Sequence, residues 1–138
     1  LYALTHLNPT IEYGVTFERG TVVEYGDRAQ AFISGTASID NKGRVVHVGD
    51  IVRQTHRMWE NVDALLAEAD MNLTDHAAQI TVYLRDTADY ATVRDLFAAR
   101  FPHVPTIITL APVCRPEWLI EMECIAVADR HNETYRPF

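Results

Sequence analysis

Glu121 and Glu123 stand two residues apart in an otherwise apolar run, Ile120-Glu121-Met122-Glu123-Cys124-Ile125. A strand repeats every two residues, so both carboxylates point to one side. A carboxylate among core residues is costly unless it is paired or hydrogen-bonded. Partial burial raises its pKa, and a like charge nearby pushes the same way. That suits one of the pair to donate a proton near neutral pH. Glu121 is the candidate general acid and Glu123 its structural partner. The competing reading makes Glu121 a structural carboxylate, paired with an arginine across an interface between copies.

Arg115 lies in the loop Cys114-Arg115-Pro116-Glu117 and is the candidate anion clamp, because a planar guanidinium grips a carboxylate with two hydrogen bonds. Cys114 has no His or Asp beside it to activate a thiolate, so it is read as shaping a pocket. Gly35, in mid-strand, points to a close approach by a ligand or another backbone, or to a bulge. Tyr13 and Tyr83 can stack on or hydrogen-bond a planar substrate. Arg19 and Arg85 are weaker alternatives for the clamp and read rather as solvated residues at strand ends. The 6 histidines are dispersed without metal-binding spacing, and no Gly-rich phosphate loop is present. No metal and no cofactor are expected.

Turn and cap signals place these residues on elements. Segments 11–18, 21–25 and 31–39 read as strands, separated by Arg19-Gly20 and Gly26-Asp27. Asp50 caps a helix of roughly five turns on which Ile51, Thr55, Met58, Val62, Leu65 and Ala69 share a face. Segment 78–85 alternates as a strand. Tyr90, Val93, Phe97 and Phe101 mark a second helix stopped by Pro102. Segments 106–113 and 118–128 are the last strands. The order βββαβαββ predicts an α+β fold with a six-stranded mixed sheet and both helices on one face. The opposite face carries mixed apolar and polar sets, such as Gln79, Thr81 and Tyr83. It fits an interface between copies better than a wetted surface.

A chain of 138 residues is the size of one domain, so 1–138 is read as a single unit. The chain does not begin with Met, so a fragment, a processed product or the C-terminal half of a longer polypeptide is expected. Two cysteines are too few for a disulfide framework, which points to a reduced, cytoplasmic compartment. No apolar run is long enough to span a bilayer, so no membrane is expected. The net charge of −7, with scattered basic residues, speaks against nucleic acid as a partner.

Several ordered motifs over residues 13–128 resemble the RidA/YjgF superfamily, whose members are also described as endoribonuclease L-PSP-like or translation inhibitors. They are Phe32-Ile33-Ser34-Gly35-Thr36, Gln54-Thr55 with Glu60-Asn61-Val62, Thr81-Val82-Tyr83-Leu84-Arg85-Asp86, Asp89-Tyr90-Ala91-Thr92-Val93 and the strand from Ile120 to Ala126. The resemblance implies a chorismate-mutase-like fold and a homotrimer with clefts between subunits that take a small carboxylated metabolite. It also implies enamine or imine deamination. That activity uses an arginine at the head of the fifth strand and a helper asparagine, where this chain has Pro105-Thr106 and Ala88.

The stretches 8–20 and 34–39, and Val113-Cys114-Arg115-Pro116-Glu117 before Glu121, resemble the C-terminal half of chorismatases. This branch implies release of pyruvate from an enolpyruvyl ether. Cys114 and Glu121 would line the site, and Glu121 would protonate the methylene carbon. A metabolite-binding trimer without catalysis is the third expectation.

Overall fold

Segments rich in β-branched residues pair into one sheet, and two apolar helical faces need a surface to cover. The computed structural model describes residues 1–14 and 16–137. Its strands are β1 (Gly20–Glu24), β2 (Arg28–Ala37), β3 (Ala77–Leu84), β4 (Thr106–Leu110) and β5 (Ile120–Asp129). The helices are α1 (Ile51–Ala67), the single turn α2 (Leu73–His76) and α3 (Tyr90–Arg100). The sheet order is β1-β2-β5-β3-β4, antiparallel except for the parallel pair β3/β4.

This is the expected α+β mixed sheet with one strand fewer: five among the described residues instead of six. The described residues of segment 11–18 form no strand. Pro9 opens a 3-10 turn over Thr10–Tyr13, and Gly14, with φ 69°, closes it in the left-handed region that glycine tolerates. Val15, within that expected strand and the resembling stretch, lies outside the described residues. Local β propensity is overridden because Tyr13 hydrogen-bonds back to Asn8 instead of joining a ladder. The strands at 106–113 and 118–128 also end up shorter, since 111–119 leave the sheet as a loop.

Alternation along β5 decides the two faces. Ile120, Met122, Cys124, Ala126 and Ala128 are buried beneath the helices, while Glu123 is exposed and Glu121, Ile125 and Val127 are half-buried. Asp50 caps α1 by accepting a hydrogen bond from the Arg53 amide, and Met58, Trp59, Val62, Leu65 and Leu66 fill the core. Burial raises the Cys124 thiol to about 12, so it acts as a small apolar core residue.

Two buried amides on α1 fasten the site to this core. Asn61 Nδ2 donates to the carbonyls of Ala37 (3.0 Å) and Ile39 (3.1 Å), at the end of β2. Gln54 Nε2 donates to the Glu117 carbonyl (2.9 Å), and its Oε1 accepts from the Leu119 amide (3.0 Å). The helix thus sets where the 111–119 loop meets β5.

Candidate functional site

A bulge in β2 creates the floor of the site. Ile33 pairs with Cys124 and Thr36 with Met122, so Ser34 and Gly35 together oppose the single residue Glu123. A Cβ added at Gly35 would run into the Glu121 carboxyl oxygen Oε1. The group close to this glycine is thus the candidate acid's side chain, where a ligand or another backbone was expected, and the alternative reading, a bulge, is what the strand shows.

Around that floor lies a cavity of about 480 Å³. Gly35, Ser34, Ala37, Glu121 and Glu123 contribute from the sheet, Tyr13, Phe17 and Arg19 from the N-terminal segment, and Cys114, Arg115 and Trp118 from the loop. Six of the seven expected site residues converge here: Glu121, Arg115, Cys114, Gly35, Tyr13 and Glu123. Tyr83 does not line the cavity. It sits beside Glu121 in the ladder, and its hydroxyl donates to Glu123 Oε2 at 3.0 Å. That hydrogen bond, followed by burial, raises the Tyr83 pKa.

Glu121 makes no hydrogen bond or ion pair with any described residue. Burial, and after it the charge of Glu123, raises its carboxyl above the ordinary value. The group therefore keeps its proton to a higher pH than a solvated glutamate does. An intrachain structural pairing is excluded among the described residues.

Arg19 corrects the sequence reading most sharply. It is only 5% exposed, not a solvated strand end. Its Nη2 donates to the Asn8 carbonyl (2.9 Å) and to Asn8 Oδ1 (3.0 Å), while its Nε has no partner among the described residues. The guanidinium carbon lies 5.3 Å from the Phe17 ring centre and 5.5 Å from that of Tyr13. Arg115 lies over Tyr13 as well, at 5.1 Å, and over Trp118 at 5.2 Å, with Nη1 donating to the Gly43 carbonyl at 2.8 Å. Two cations thus interleave with three aromatic rings along one wall, each stack favourable when desolvated. Neither arginine forms an ion pair among the described residues.

Arg85 is the second correction. It is not a free strand end: Nε donates to the Trp118 carbonyl at 2.7 Å, and Nη2 to the Val113 carbonyl at 2.9 Å and to that of Arg115. One side chain thereby holds three points of the loop that presents Cys114, Arg115 and Trp118. Arg85→Met leaves those carbonyls without this donor. The expected loss is about 1–3 kcal/mol of stability in denaturant titration, with weaker anion binding at Arg115.

Sequence reasoning also missed Phe17 and Trp118 as wall residues. The only available signal was the place of Phe17 in the resembling stretch 8–20, and Trp118 had none, because which aromatic faces a cavity depends on how distant loops meet. The segment 103–107 and Ala88, where the resemblance places the arginine and the asparagine of deaminases, line no part of this cavity. The Thr106 hydroxyl donates to the Val104 carbonyl at 3.0 Å.

Comparisons with known proteins agree with this architecture. The sequence model of the family described as Endoribonuclease L-PSP matches residues 21–128. A RutC family protein of Pyrococcus abyssi is 36% identical over 97 residues, covering 69% of this chain and 76% of that protein. The 3-aminoacrylate deaminase RutC of Acinetobacter baylyi is 32% identical over 97 residues, with the same coverage. The crystal structure of the YjgF gene product from E. coli superposes with a TM-score of 0.72 at 23% identity, covering 91% of this chain and 95% of that one. That likeness shows the shared fold. The family match over most of the chain, and relatives above 30% identity, establish that this chain belongs to the Endoribonuclease L-PSP (RidA/YjgF) family.

Proposed function

We propose that the cavity binds a small carboxylate carrying an electron-rich double bond, and that Glu121 protonates carbon to start its hydrolysis. One observation carries the reading: a partly buried carboxyl without a partner among the described residues shares a cavity with two arginines that lack carboxylate partners among them. An arginine would hold the substrate carboxylate by charge-assisted hydrogen bonds. Protonated Glu121 would serve as the acid and, once ionised, as the base for water.

The relative that acts on 3-aminoacrylate makes a carboxylated enamine the first choice of substrate. Glu121 gives its proton to the carbon bearing the carboxylate, and the nitrogen lone pair forms the C=N bond of an iminium. Water adds to the iminium carbon, the one bound to nitrogen, and returns a proton to Glu121. The carbinolamine then expels ammonia and leaves an aldehyde acid. A substrate and one water become two products, with no redox partner required. The test is ammonia release from 3-aminoacrylate or 2-aminoacrylate generated in situ. No acceleration over the protein-free rate would defeat the enamine reading.

A second reading is favoured by the presence of Cys114 and Arg115 in the same cavity as Glu121. Here the acid protonates the methylene carbon of an enolpyruvyl ether, water attacks the oxocarbenium carbon, and the hemiketal collapses to pyruvate and an alcohol. Pyruvate release from chorismate separates the two. Ligand-induced melting shifts without turnover in either assay would leave a binding protein. For partners we propose further copies of this chain in a trimer, covering the sheet face where Phe32 is 41% exposed beside Glu123 and Ile125. The net charge of −7 speaks against direct work on RNA, whatever the family's name suggests.

A further inference from the structure

The cationic wall depends on one neutral side chain. Asn8 is 3% exposed and lies outside the cavity lining. Its Oδ1 accepts from the Tyr13 hydroxyl at 2.7 Å and from Arg19 Nη2 at 3.0 Å, and its carbonyl accepts from the same nitrogen at 2.9 Å. Its Nδ2 donates to Glu12 Oε2 at 2.9 Å. The same amide group packs on Gly43, whose carbonyl receives Arg115. Both arginines and the ring they share are thus referred to one residue.

A buried arginine held this closely would ordinarily be matched by a carboxylate, since an uncompensated buried cation is costly. Asn8 offers the shape and the acceptor oxygen of aspartate without its charge. We propose that Asn8 is a positioning and specificity residue: it fixes Arg19 and Tyr13 while leaving Arg19 un-neutralised, so the cation is available to a ligand carboxylate. This rests on the anion-binding half of the functional reading and does not depend on catalysis. An aspartate at this site would act as an internal competitor for the ligand.

The test reverses the usual order of stability and affinity. Asn8→Asp keeps both acceptor bonds and adds an ion pair to Arg19, so its melting temperature should equal or exceed that of the native protein. Exposed Glu12 would swing away from the new carboxylate, and Glu12→Gln in the same chain removes that repulsion. Asn8→Ala loses the acceptor and should melt lower, yet Arg19 keeps its charge. With benzoate as the carboxylate probe in calorimetric titration, Asn8→Asp should weaken binding about tenfold or more, the size expected for loss of a charge-assisted contact, and Asn8→Ala less. With a turned-over substrate, the aspartate variant should raise KM by a similar factor with kcat within about twofold of native.

Benzoate affinity that follows the stability order, or an Asn8→Asp/Glu12→Gln protein that fails to fold, overturns the assignment. So does a native protein that takes up no benzoate. Native binding weakened by Asn8→Asp, without turnover of either substrate class, upholds it and removes only the catalytic reading. Turnover with an unchanged KM in Asn8→Asp does the reverse.

Discussion

Glu121→Gln is expected to abolish turnover, by about two to four orders of magnitude, while carboxylate binding persists. Glutamine has nearly the same shape but no proton to give to carbon and no carboxylate to receive one from water. Because Glu121 has no partner among the described residues, the replacement breaks no hydrogen bond of the fold. Stability should move the other way from activity, and its pH dependence fixes the cause. The folded-state pKa of Glu121 is raised by burial and by Glu123. A group shifted this way contributes its full stability below the ordinary glutamate pKa of about 4.3, and loses it as pH rises through the folded value. The glutamine variant does not titrate there. Its melting temperature should match the native protein near pH 4 and exceed it progressively toward neutrality. An equal difference at all pH values would show that Glu121 titrates normally, and an active Glu121→Gln enzyme would remove it as the acid.

The next largest effect is expected from a single methyl group. Gly35→Ala places a Cβ where the Glu121 carboxyl oxygen now lies. The colliding atom is the end of a flexible side chain, so the strand need not move, but the acid must. Misplacing a catalytic group by about 1 Å can cost about 100-fold in rate, and that is the loss expected in kcat. The sheet should survive, because the bulge already relaxes the ladder at Ser34 and Gly35. Unchanged near-native melting together with a collapsed kcat and a modest KM change is the signature. If Gly35→Ala keeps full activity, the carboxyl position described here is not the working one.

These two variants act on neighbours in the sheet, and the Arg85→Met and Asn8→Asp changes act on the two segments that close over it. The first pair should fall mainly on kcat, the second mainly on binding. That division separates proton transfer on the sheet from anion recognition by the wall, and it holds whether the group expelled is ammonia or an alcohol.

Much of the site was legible from residue order because strand geometry is local. The two-residue period of 120–128 put Glu121 and Glu123 on one face, Gly35 in a strand signalled a close approach, and Asp50 with its following apolar period defined α1. Each rests on backbone geometry within a few residues, which neighbours in sequence determine. What the chain order could not decide was where charged side chains come to rest. Arg19 and Arg85 look alike at strand ends, yet one is buried between two rings and the other holds three carbonyls of a loop some thirty residues away. Segment 11–18 has strand composition, yet Asn8, Tyr13 and Arg19 draw its first residues into a turn. These outcomes depend on contacts between segments far apart in the chain, and propensity carries no information about them. Packing selected the cationic wall; alternation alone selected the acid that shares its cavity.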